Sequence, residues 1–278
     1  MSFAKRLQNR VRDAVQGVTH GYEYGRHLVR GNKFTVDMTW TQPEQPPVVL
    51  VHGFLGTRGT MLPMTRRFQR DGRIVFSYAY GTFNMASLRK SAEKLAGHLE
   101  AICDKLGCER VDLVGYSMGG LIGLHTLKFL QGHRYVRNLV MMGSPLAGTW
   151  VGLAGVATMG AISPSVWQVL PGSPFLEDLL TAPIPPGVRL RQIHAASDAL
   201  CPPPGPIEGV APRDYIMMPG GHSSLVVTEP FYQACREFLD GNEAQPGAET
   251  QTDTETEAIE EPIDIRSARA PELRLIGF

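Results

Sequence analysis

Residues Val111–Ile122 read VDLVGYSMGGLI. A short apolar run with a β-branched bias ends at Val114, and a helical pattern begins at Met118 and continues to about Gln131. Only Gly115, Tyr116 and Ser117 separate the two, so the chain must turn tightly from strand into helix. Gly115 and Gly119 remove the Cβ atoms that would collide where the two elements nearly touch. A serine at such a corner is lifted clear of the sheet and sits at a helix N-terminus, where free amides and the helix dipole favour negative charge.

The same alternation extends outward. Apolar runs at Pro47–His52, Arg73–Ser77, Val136–Met142, Val188–Ala195 and Asp214–Met218 join Arg110–Val114 as predicted strands. Helical patterns lie at Thr60–Arg70, Met85–Leu106 and Glu229–Leu239. Strands separated by helices imply crossovers and a doubly wound, mostly parallel sheet, and such continuously apolar strands need helices on both faces. Residues 145–186 break the rhythm, being rich in Gly and Pro yet holding Trp150, Leu153, Trp167, Leu170 and Phe175. A structureless loop of that length is improbable, so a helical cap or lid is expected there.

The 278 residues carry 27 basic and 27 acidic side chains, but the balance is uneven along the chain. Residues 1–33 hold seven basic residues against two acids, net +5, and residues 241–278 hold three against nine, net −6. The reading is therefore a basic arm at 1–34, an α/β domain at 35–240 and a solvated acidic tail at 241–278. The middle is nearly neutral, and no aromatics interleave with the basic end, so nucleic-acid binding has no support. Apolar stretches end short of the ~18 residues a membrane span needs. Four cysteines form no CxxC pair, and residues 1–30 lack the apolar core of a signal peptide, so a reducing, cytoplasmic compartment is expected. Among the histidines no HExxH or paired spacing occurs; neither a metal nor a cofactor is expected.

Upstream of the turn, Val48–Gly56 reads VVLVHGFLG, a strand running into a Gly-rich loop. Acyl transfer to a serine needs two amides aimed at the developing oxyanion, one from the residue after the nucleophile and one from an earlier loop. Those would be Met118 and Phe54. His52 is read as a hydrogen-bond donor that orients the loop rather than as a general base.

With HGFLG, GYSMGG, GSPLAGT at Gly143–Thr149 and GGHSSL at Gly220–Leu225, the chain resembles lipases and esterases of the α/β-hydrolase superfamily. The resemblance is particularly to bacterial lipases and to the branch akin to glycosylphosphatidylinositol deacylases. The resemblance spans about Pro47–Leu239 and implies that fold, no cofactor, a small-molecule ester or lipid substrate, and a triad ordered serine, acid, histidine. Ser117 would be the nucleophile. Asp198 follows a late strand in the loop position such an acid needs, with Asp178 and Asp214 as rivals, and His222 lies 24 residues beyond Asp198. Leu55, Leu146, Trp150 and Trp167 are candidates for lining an apolar acyl site. Hydrolysis, acyl transfer and thioester cleavage share this triad, and a non-catalytic binding protein retaining the fold is the reading from a different class.

Before Thr35, Phe3, Leu7, Val11, Val15, Val18 and Tyr22 repeat at three- or four-residue steps. That stripe would pack on the domain, lie on an anionic membrane surface through residues 1–30, or bring the basic arm to the acidic tail.

Overall fold

A computed structural model describes residues 17–31, 45–78, 85–149 and 163–241. Six parallel strands form one sheet: β1 Val48–Val51, β2 Val75–Tyr78, β3 Val111–Tyr116, β4 Val136–Met142, β5 Arg189–Ala195 and β6 Tyr215–Met218. Their spatial order is β2-β1-β3-β4-β5-β6. The helices, in chain order, are α1 over residues 17–29, α2 Leu62–Arg70, α3 Leu88–Leu106, α4 Met118–Phe129, α5 Pro164–Gln168, α6 Pro174–Thr181, α7 Ser224–Val227 and α8 Glu229–Leu239. Among the described residues no helix is long and apolar enough to cross a membrane.

Alternate residues of each strand enter two cores. Val49, Val51, Leu113, Leu139 and Met141 face α3, α4 and α6, whereas Val48, Leu50, Val114, Val140 and Met142 face α2, α7 and α8. This two-sided burial is why these strands are apolar at successive positions. Because β2 lies on one side of β1 and β3 on the other, the windings diverge at the β1–β3 pair and open a crevice at its carboxyl end.

Local chemistry sets the ends of the elements. Gly107 closes α3 in the left-handed region at φ 64°, where its missing Cβ removes the strain. Ser173 accepts the Leu176 amide at 3.3 Å and Pro174 follows at the first helical position, so α6 starts there, inside the interval expected to hold short helices. Pro212 opens a 3-10 turn through Asp214, which delays β6 to Tyr215. At the sheet's other end Asp112, fully buried, accepts from Arg73 at 2.6 Å, from Arg137 at 2.9 Å and from Asn138 at 2.8 Å. Those bonds tie the approach to β2 to β3 and β4.

The described part of α1 seats on the domain through a face other than the stripe expected from the sequence. Tyr24 packs on Tyr116 with ring centroids 6.0 Å apart, and His20 Nδ1 lies 2.9 Å from Ser224 Oγ. Thr57 Oγ1 donates to Leu28 O at 3.3 Å, and Gly59 N donates to Gly31 O at 3.0 Å. Val18 and Tyr22 remain 74% and 70% exposed. Residues 1–16, Trp150 and Leu153 of the expected cap, and the acidic tail from 242 lie outside the described residues.

Candidate active site

Ser117 occupies the corner between β3 and α4 at φ 54°, ψ −126°. Few side-chain-bearing residues adopt such a backbone, which costs roughly 1–3 kcal/mol and persists only where the surroundings impose it. Here they do. The Ser117 amide donates to Met142 O of β4 at 2.7 Å. A Cβ on Gly119 would lie 2.2 Å from Val51 O, and one on Gly115 2.5 Å from the Gly120 Cα. Strand and helix therefore approach as closely as the glycine spacing in the sequence requires.

The loop after β1 runs directly over this corner, since a Cβ on Gly53 would fall 2.8 Å from Ser117 Cβ. Gly56 N closes the loop on Gly53 O at 3.2 Å, and His52 Nδ1 lies 3.0 Å from that same carbonyl. Burial pushes the His52 imidazole down to about 4, with the Gly53 carbonyl acting the other way, so at neutral pH the ring is uncharged and donates through Nδ1. Leu55 turns the loop at φ 51° and is 39% exposed. The Phe54 and Met118 amides follow the ends of β1 and β3, adjacent strands of the sheet, and neither donates to a protein acceptor among the described residues.

Asp198 and His222 come together on loops that continue the β5–β6 pairing. Ala196 N donates to Met218 O and Ser197 N to Gly220 O, each at 2.9 Å, so the two loops are zipped together. The Asp198 side chain is 1% exposed. Its Oδ2 lies 2.6 Å from His222 Nδ1. Its Oδ1 accepts the amides of Leu200 at 3.0 Å and Cys201 at 2.8 Å. A carboxylate only accepts, so Nδ1 carries a proton, and the neutral tautomer this selects has its lone pair on Nε2. Gly143, at φ 60° in the loop after β4, packs behind the pair; a Cβ there would meet Asp198 Oδ2 at 3.3 Å, His222 Nδ1 at 3.4 Å and Leu225 Cδ1 at 2.4 Å.

The rival acids are committed elsewhere. Asp178 pairs with Arg89 at 2.6 Å, and Asp214 with Arg191 at 2.8 Å.

The Ser117 hydroxyl turns toward Cys201 Sγ at 3.9 Å, and among the described residues no hydrogen bond joins it to His222. Burial pushes the Cys201 thiol up to about 12, so a neutral group faces the hydroxyl. Serine–base hydrogen bonds often tighten only in the complex with substrate.

Of the apolar candidates, Leu146 is 1% exposed and lies in the α4-side core, whereas Trp167 on α5 is 52% exposed.

Several contributors leave no pattern in the sequence. Tyr116 donates its hydroxyl to His222 O at 3.2 Å and stacks against the imidazole at 4.9 Å. Ser224 Oγ accepts the Gly221 amide at 3.2 Å, bracing the His222 loop. Neither Tyr116 beside the serine nor Ser224 after GGHS betrays a partner 106 or three residues away.

Residues 46–157 match a family model described as alpha/beta hydrolase fold. Among solved structures, Bacillus licheniformis lipase BlEst2 in mature form superposes with a TM-score of 0.60 at 15% identity, covering 73% of this chain and 96% of that one. Aspergillus fumigatus lipase B gives 0.58 at 15%, over 77% of this chain and 57% of that one. Paleococcus ferrophilus monoacylglycerol lipase gives 0.51 at 18%, over 71% and 96%. No curated protein sequence matches. The chain has the fold of the α/β-hydrolase superfamily, and its structural neighbours include lipases.

Proposed function

We propose that this protein is a serine hydrolase that cleaves carboxylic esters of apolar acyl chains through Ser117, His222 and Asp198. The observation that carries the reading is the 2.6 Å Asp198–His222 pair, on loops at the carboxyl ends of β5 and β6, in the same sheet whose β3 ends at the strained Ser117 corner. His222 Nε2 takes the Ser117 proton as Oγ attacks the ester carbonyl, then delivers that proton to the departing alkoxide. Asp198 holds the imidazole in the required tautomer and stabilises its cation. The Phe54 and Met118 amides receive the oxyanion, each worth roughly 3 kcal/mol of barrier. Water activated by the same imidazole then cleaves the acyl-enzyme and restores the serine.

Leu55, within the loop after β1, and Trp167 are exposed apolar groups suited to an acyl chain rather than to a charged metabolite. The lipases among its structural neighbours are consistent with the same substrate class.

The test is labelling with a fluorophosphonate, which reacts only with an activated serine, together with hydrolysis of p-nitrophenyl esters of increasing acyl length. The wild-type chain labels and turns over, and Ser117→Ala does neither. A wild-type chain that stays unlabelled and inert would instead favour the non-catalytic reading.

A further inference from the structure

Helix α1 has two unlike faces. The inward one carries the His20 and Tyr24 side chains onto Ser224 and Tyr116, and the Leu28 carbonyl accepts the Thr57 hydroxyl. The outward one carries Val18, Tyr22 and Val29, which are 74%, 70% and 87% exposed. At 100° per residue these three fall within about 40° of one another, a single apolar stripe. Exposed Arg26 and Arg30 border it. The same spacing continues back through the sequence at Val15, Val11, Leu7 and Phe3, and residues 1–33 carry net +5.

An apolar stripe left in water beside arginines is the signature of a helix that lies in a bilayer interface, its apolar side among acyl chains and its cations at anionic headgroups. We infer that the outward face of α1 binds the surface of an anionic phospholipid bilayer. The helix is seated on segments adjoining each candidate: Thr57 after Phe54, Tyr116 before Ser117, and Ser224 after His222. Lipid contact would therefore be made by an element braced directly against those segments. The inference stands apart from the hydrolase reading, because binding is measured without turnover.

The experiment is co-sedimentation of the full chain with phosphatidylcholine vesicles, with and without phosphatidylglycerol, at low and high salt. Each basic residue near an anionic surface strengthens partitioning by roughly fivefold. The full chain should therefore pellet with the anionic vesicles at least tenfold more strongly than with the neutral ones, and less so at high salt. The double variant Val18→Glu/Val29→Glu should lose at least tenfold in partitioning, yet hydrolyse a soluble short-chain ester at the wild-type rate. Equal partitioning of wild type and double variant would overturn the inference, as would failure of the wild type to bind either vesicle. A wild-type dimer that the double variant dissolves, without vesicle binding by either, would assign the face to a second copy instead.

Discussion

Replacing Asp198 by Asn tests the acid's role with little change in shape. In the structure Oδ1 accepts two backbone amides, from Leu200 and Cys201, and Oδ2 faces His222 Nδ1. An amide side chain has one oxygen, and the two N–H donors hold it at the Oδ1 position. The amide nitrogen then faces Nδ1 as a donor, which drives the imidazole to the tautomer protonated on Nε2. That nitrogen is the one that must take the Ser117 proton. The expected loss in kcat is roughly ten-thousand-fold, about 5.4 kcal/mol of barrier. Stability should fall far less, by about 1–2 kcal/mol, because every buried donor keeps a partner. Asp198→Ala provides the contrast: it orphans both amides and the imidazole donor, and three such groups at about 1–3 kcal/mol each should lower the melting temperature markedly. The assay is kcat and KM on p-nitrophenyl butyrate beside thermal melts of all three chains. An Asn variant within tenfold of wild-type kcat would refute the reasoning. Asp178→Asn and Asp214→Asn, whose carboxylates face arginines, should keep wild-type turnover.

Ser117→Gly should abolish turnover and raise stability by about 1 kcal/mol, since glycine relaxes the φ 54° corner; a chemical melt checks it, and an unchanged midpoint would remove the strain argument. Gly143→Ala places a methyl 2.4 Å from Leu225 Cδ1 at φ 60°, so it should destabilise the fold by about 2 kcal/mol or more and slow turnover by displacing the Asp198–His222 pair; a crystal structure of the variant would show that pair lengthened. Asp112→Ala leaves the buried Arg73 without its main partner and should cost about 3–5 kcal/mol, read as a lowered denaturation midpoint. Burial holds His52, His125 and His194 down at about 4, against an unfolded value of 6.5. The unfolded chain thus binds more protons, so the stability from keeping these rings neutral is complete above pH 6.5 and declines as pH falls from 6.5 toward 4. Melts at pH 7, 5.5 and 4.5 should step downward, and a flat series would contradict the buried neutral rings.

Much of this molecule is legible in its sequence because the relevant constraints are local. Strand alternation with helices, the glycines that let β3 and α4 touch, and a serine at the corner are all properties of neighbouring residues, and they determine the fold class and single out Ser117. Loop position ranks Asp198 ahead of Asp178, inside a helical Leu-rich patch, and of Asp214, at the opening end of a strand. The contrast between a carboxylate facing His222 and two facing arginines depends on which strands and helices lie beside one another, and no local pattern encodes that. The orientation of α1 was decided the same way. Its apolar spacing is plain in the sequence, but the inward face is chosen by what the domain offers, and Tyr116 and Ser224 take the side chains of Tyr24 and His20 rather than those of Val18 and Tyr22. Tyr116 and His222 are 106 residues apart, and only the assembled sheet brings them within a hydrogen bond. Periodicity says that a face exists; tertiary packing decides what it meets.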